Sequence, residues 1–136
     1  MTVVPRVAMT LTQVSHRVPG GTATSLGHLA AALSRSGRVD LTAVLARGDL
    51  RRPSSMLRPE QDAAVLLDAG VRSATMDLPL PLLYDTWARA GRPTLRSAVG
   101  PIDLVHVTLP LKVGIGDTPM VATVHDVFPL SRSHEF

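Results

Sequence analysis

The chain has 136 residues, 45% of them hydrophobic and 18% charged, with a formal net charge of +3 and no cysteine. That length sets one domain whose core buries about two-thirds of the unfolded surface, and without cysteine a disulfide framework and a thiolate metal site are excluded. Thirteen of the fourteen basic residues are arginine, scattered rather than striped and with no aromatic platform among them, which speaks against nucleic acid and leaves phosphate groups or an anionic membrane face as partners. No apolar run approaches the ~20 residues of a membrane span. MTVVPRVAM has no basic segment ahead of a long apolar one, so no signal peptide is expected and the cytoplasm is the expected compartment.

Val7, Ala8, Met9 and Leu11 form an apolar run without charge, the pattern of a strand covered on both faces. After a polar loop, Gly20 and Gly21 predict a sharp turn that leaves room for a close neighbour. Thr22 stands where its hydroxyl can cap a following helix. Leu26, Leu29, Ala30 and Leu33 make one apolar stripe, and Gly37 supplies a left-handed stop. Asp40 leads into a second buried strand over Leu41–Ala46; strand, helix and strand in that spacing make a parallel βαβ unit. Arg47–Arg58 reads as a loop, Pro59 opens a helix that Gly70 ends, and Val71–Leu78 is a third strand near the sheet edge. Pro79 and Pro81 bend the chain before a helix over Leu82–Ala90, ended by Gly91 and Pro93, with a further turn over Thr94–Val99. Ile102–Val107 and Met120–Val124 are the fourth and fifth strands, joined through Gly114 and Gly116. With aromatics at 3% the core is expected to be aliphatic. The order predicts a doubly wound α/β domain: a Rossmann-like, mostly parallel sheet with helices on both faces.

Ligands of open parallel sheets bind outside the carboxyl ends of the strands. Three polar clusters fall there: Gln13–Gly21 with His16, Arg17 and the glycine pair; His106 with Thr108; and Thr123 with His125 and Asp126. A glycine turn feeding a helix N-terminus suits an anion, because free N–H groups and the positive dipole end converge above it. Each feature has an ordinary alternative: a tight βα turn for the glycines, a hydrogen-bonded structural residue for each histidine, a turn or helix cap for Asp126. No GxGxxG fingerprint, P-loop, GxSxG elbow or HExxH spacing is present, which argues against dinucleotide, P-loop, hydrolase-elbow and zinc-protease chemistry.

The pattern VPGGTATSLGHLAAALSRSG after the first strand, followed by PIDLVHVT and PMVATVHDVFPL, resembles the N-terminal half of family 4 glycosyltransferases. The likeness spans nearly the whole chain, although residues 47–99 carry no matching motif. It implies the GT-B fold, in which two Rossmann-like domains face each other across a cleft. It also implies retaining transfer of a sugar from a nucleotide-sugar donor to an acceptor, with no cofactor and no bound metal. Gly20, Gly21 and Thr22 would lie at the donor diphosphate, where backbone N–H groups offset the charge growing on the leaving group. His125 would contact the donor sugar near the reaction centre and Asp126 would orient it. His106 and Thr123 would line the substrate side of the cleft. The family's second domain holds most of the nucleotide and an E-x7-E motif, whereas Glu60 and Glu135 are the only glutamates here. Residues 1–136 are therefore expected to be the N-terminal, acceptor-side domain, with the C-terminal nucleotide-sugar domain absent as its missing partner and the fragment inactive alone.

Two further readings stand beside this one. A non-catalytic α/β module, binding a phosphate-bearing ligand or regulating a partner, would use the same glycine turn. Leu82–Arg96 sets Tyr84, Trp87, Arg89, Arg92 and Arg96 beside leucines, a composition that suits weak peripheral membrane contact. The favoured reading of that stretch is an ordinary helix with Leu82, Leu83 and Trp87 packed inward and the arginines solvated.

Overall fold

A computed structural model describes residues 3–12, 21–47, 70–109 and 111–124, with 21–23 as backbone only. Five strands, β1 (Arg6–Thr10), β2 (Asp40–Ala46), β3 (Arg72–Met76), β4 (Leu104–Val107) and β5 (Met120–Ala122), form one sheet in the order β3-β2-β1-β4-β5. Every pairing is parallel, with Val7 opposite Leu41 and Leu104, and Met9 opposite Ala43 and His106. The chain winds outward from β1 to β3, then crosses back to β4 and β5. The direction of winding reverses between β1 and β4, where doubly wound sheets open a ligand crevice.

Alternation along the strands divides the core in two. Val7, Met9, Leu41, Ala43 and Leu45 pack with Leu26 and Ala30 of helix α1 (Gly21–Ser36). Ala8, Val44, Ala46, Val105 and Val107 pack with Leu83 and Trp87 of helix α2 (Leu80–Ala90). Helices thus cover both faces, as the apolar strand runs require. A short helix, α3 (Arg96–Val99), follows α2. No helix among the described residues is long and apolar enough to cross a membrane. The helix expected after Pro59 lies outside the described residues.

Several boundaries move for identifiable reasons. Helix α1 already runs at Gly21, so Thr22 falls inside its first turn rather than at its cap. The stripe of α1 is rotated: Ala31 is buried with Leu26 and Ala30, whereas Leu29 is exposed. Gly37 adopts φ +69, the left-handed stop expected. Helix α2 begins two residues early. Pro79 is its extended N-cap and Pro81 sits in the first turn, where a missing N–H leaves no helical hydrogen bond unmade, so the two prolines open the helix instead of bending the chain ahead of it. Gly91 at φ 64 closes it, its N–H donating to the Trp87 carbonyl. β3 is the edge strand expected. β4 begins at Leu104 rather than Ile102, and β5 ends at Ala122 with all three of its residues exposed.

The expectation of an aliphatic core misses its largest member. Trp87, the only tryptophan, is wholly buried, and its indole N–H donates to the Pro93 carbonyl at 2.8 Å. Within the stretch read as a candidate membrane face, Leu83 is also buried, Arg89 pairs with Asp85 and Arg96 with Asp117. Inward packing prevails there, except that Leu82 is exposed. Gly114 lies over the same tryptophan: a Cβ would stand 2.3 Å from the Pro93 oxygen and 2.9 Å from the Gly91 oxygen, both backbone atoms. Gly114→Ala is expected to destabilise the fold by about 3 kcal/mol, because backbone rather than a side-chain tip must move. Gly37→Ala, which meets no atom within 4 Å, should cost only the left-handed conformation, about 1 kcal/mol. Urea unfolding of the two variants reads the difference, and equal midpoints would contradict the close packing at Gly114.

Candidate ligand site at the carboxyl edge of the sheet

The reversal between β1 and β4 places the ends of these strands side by side. Thr10 and Thr108, both buried, bind each other three ways: the Thr108 N–H donates to Thr10 Oγ1 at 3.0 Å, the Thr108 hydroxyl donates to the Thr10 carbonyl, and the two hydroxyls stand 3.0 Å apart. One turn of chain later, the Thr12 hydroxyl meets the Tyr84 hydroxyl at 2.8 Å and ties the exit of β1 to α2. A buried hydroxyl without a partner costs roughly 1–3 kcal/mol. These bonds therefore make a threonine-rich strand end compatible with the core.

His106 stands apart from this set. It lies on β4 in register with Met9 and Val121, on the face that α1 covers. Its Nε2 is 2.5 Å from the hydroxyl of Thr123, the residue after β5. Burial lowers its pKa from the usual 6.5, because a desolvated imidazolium is disfavoured. The ring is neutral near pH 7. In one tautomer Nε2 accepts the Thr123 proton; in the other it donates to the threonine oxygen. Either way, a half-buried pair of neutral hydrogen-bonding groups marks the edge between β4 and β5.

The structure brings together two of the residues singled out from the sequence, His106 and Thr123. Gly21 and Thr22 open α1, which packs on the sheet face that carries His106. The first turn of α1 contains no acidic residue, so nothing on the helix itself neutralises its positive end. Gly20, His16, Arg17, His125 and Asp126 lie outside the described residues. Thr108, grouped with His106 in the sequence, belongs instead to the latch with Thr10. Among the described residues, the exit of β1 (10–12), β4 with its exit (104–109) and β5 with its exit (120–124) carry no Asp, Glu, Lys or Arg. No described group of three His, Cys, Asp or Glu residues is placed to hold a metal.

Thr10, Thr12 and Tyr84 were not legible as site neighbours. An isolated threonine in an apolar run reads as a strand former, and only the pairing of β1 with β4 shows what its hydroxyl meets. Comparison with protein-family models, with characterised proteins and with solved structures finds no match.

The lowered pKa of His106 has a definite sign. Above 6.5 the imidazole is neutral both folded and unfolded and contributes no pH dependence. As the pH falls below that value the unfolded chain takes up a proton that the folded chain resists, so stability is lost until the folded pKa is passed. His106→Gln should lose less stability than the parent between about pH 7 and pH 5. Urea midpoints of both proteins at the two pH values test this; parallel losses would show that His106 is not the group responsible.

Proposed function

We propose that this domain forms the acceptor-side wall of a retaining glycosyltransferase that uses a nucleotide-sugar donor, facing a second Rossmann-like domain that grips the nucleotide. The observation that carries the reading is the His106–Thr123 pair, held at 2.5 Å between β4 and β5 at the carboxyl edge of the sheet. A neutral imidazole and a hydroxyl are complementary to sugar hydroxyls, which both donate and accept. The start of α1 is complementary to a diphosphate, which needs N–H donors and a positive dipole end. Backbone N–H groups at the glycine turn would supply part of the stabilisation that a leaving diphosphate requires. His125 and Asp126, which follow Val124 in sequence, take the roles implied by the resemblance: contact with the donor sugar and its orientation.

The lack of charged groups on the described strand ends favours a second reading, a non-catalytic module that binds a phosphate-bearing ligand at the glycine turn alone. Titration of the isotope-labelled chain with a panel of nucleoside diphosphate hexoses separates the two. Transfer-domain binding should shift the resonances of Gly21, Thr22, His106 and Thr123 together, with a dissociation constant on the order of millimolar because only one wall is present. His106→Ala should weaken it about fivefold. Pyrophosphate alone giving the full set of shifts, His106 included, would favour the module. Silence at all four residues across the panel would overturn both.

A further inference from the structure

A second concave surface lies at the far end of α2. That helix starts just after the carboxyl end of β3 and has eleven residues, so its last turn is about 16 Å from its first. There a groove of about 530 Å³ is walled by Thr86 and Ala90 of α2, by Arg92, Pro93 and Thr94 of the connection, and by Ser97 of α3. Its volume falls within the range of small-molecule sites. Its floor is fixed by the bond from the Trp87 indole to the Pro93 carbonyl and by the Leu95 N–H, which donates to the Gly114 carbonyl at 2.8 Å.

Charge is distributed unevenly around it. Arg89 is held by Asp85 at 2.9 Å, and Arg96 by Asp117 at 3.4 Å and by the Ile102 carbonyl at 3.2 Å. Arg92, on the groove wall, has no carboxylate partner among the described residues. The Lys112 side chain runs past Gly91, next to Arg92, with Cε and Nζ 3.5 and 3.7 Å from where a Cβ would sit. Arg92, without a described counterion, thus stands on the wall of a groove whose other walls are Ala90, Pro93 and small hydroxyl-bearing residues. A guanidinium presents paired donors to an oxyanion, and the alanine and proline offer an apolar seat.

We infer that this groove binds a small organic anion, its apolar body against Ala90 and Pro93 and its carboxylate or phosphate oxygens on Arg92. The site is separate from the carboxyl edge and independent of the glycosyl-transfer reading. Phenyl phosphate and benzoate are the probes, with inorganic phosphate as the bodiless control, titrated into the isotope-labelled full chain. The single Trp87 indole N–H and the Ala90, Thr94 and Ser97 amides report occupancy. At least one probe should give saturable shifts at these four positions, and the tighter of the two assigns the head group. Inorganic phosphate should bind at least about fivefold more weakly, for want of the apolar contact. Arg92→Gln should weaken the probe about fivefold, whereas Arg35→Gln, which removes an exposed cation from α1, should leave its affinity unchanged. The inference is overturned if neither probe moves the four reporters, if Arg92→Gln binds as well as the parent, if inorganic phosphate binds as tightly as the probes, or if Arg35→Gln weakens binding equally.

Discussion

Strand β1 is the constraint on which the rest depends. It is paired along both edges, to β2 over five residues and to β4 over three, and covered on both faces. Such a strand must be apolar on both sides and must have every backbone group claimed by a neighbour. Val7, Ala8 and Met9 meet the first demand. The second is met beyond the regular ladder as well: the Leu11 N–H donates to the Val44 carbonyl, and the Thr10 carbonyl accepts the Thr108 hydroxyl. The latch therefore stands at the one place where the winding of the sheet reverses and two parallel strands part.

That placement sorts the polar groups of the carboxyl edge into two kinds. The hydroxyls of Thr10 and Thr108 pair with each other, and those of Thr12 and Tyr84 likewise. His106 of β4 and Thr123 after β5 bridge the next pair of strands, beside an edge whose residues, Met120, Val121 and Val124, remain exposed. A histidine wholly inside the sheet would be a structural residue; one wholly outside would have an ordinary pKa. His106 is between these limits, desolvated enough to be held neutral and still within reach of solvent. Among the described residues, this edge presents neutral hydrogen-bonding groups rather than charge.

How much of this was legible follows from the range of each interaction. The buried strands were written in apolar runs, most of the α1 face in a spacing of three and four residues, and the left-handed stop at Gly37 in a single glycine. The ion pair of Asp85 with Arg89 is likewise local, four residues apart on one helix. The latch joins residues 98 apart in sequence, and Asp117 reaches Arg96 from a loop 21 residues away. No local pattern distinguishes Arg92 from Arg89 or Arg96. The start of α2 was misplaced because a proline breaks a helix interior but suits its first turn, and which rule applies depends on where the preceding strand lets go. Of the candidate site, the pairing of His106 with Thr123 was only hinted at, since both were named as strand ends before the adjacency of β4 and β5 was known.

The two proposed anion sites, at opposite ends of the domain, differ in their means. At the carboxyl edge the described strand ends bear no cation, and the proposed donors are N–H groups at the start of α1. Such groups are fixed by the helix, cannot be titrated and exert a field that fades within a turn. At the other end of α2 the cation is a side chain, Arg92, on a connection that Trp87 and Gly114 hold rigid. A backbone site of the first kind suits a group whose charge changes during a reaction, because the donors need no reorganisation. A guanidinium over an apolar seat suits a ligand that is merely held.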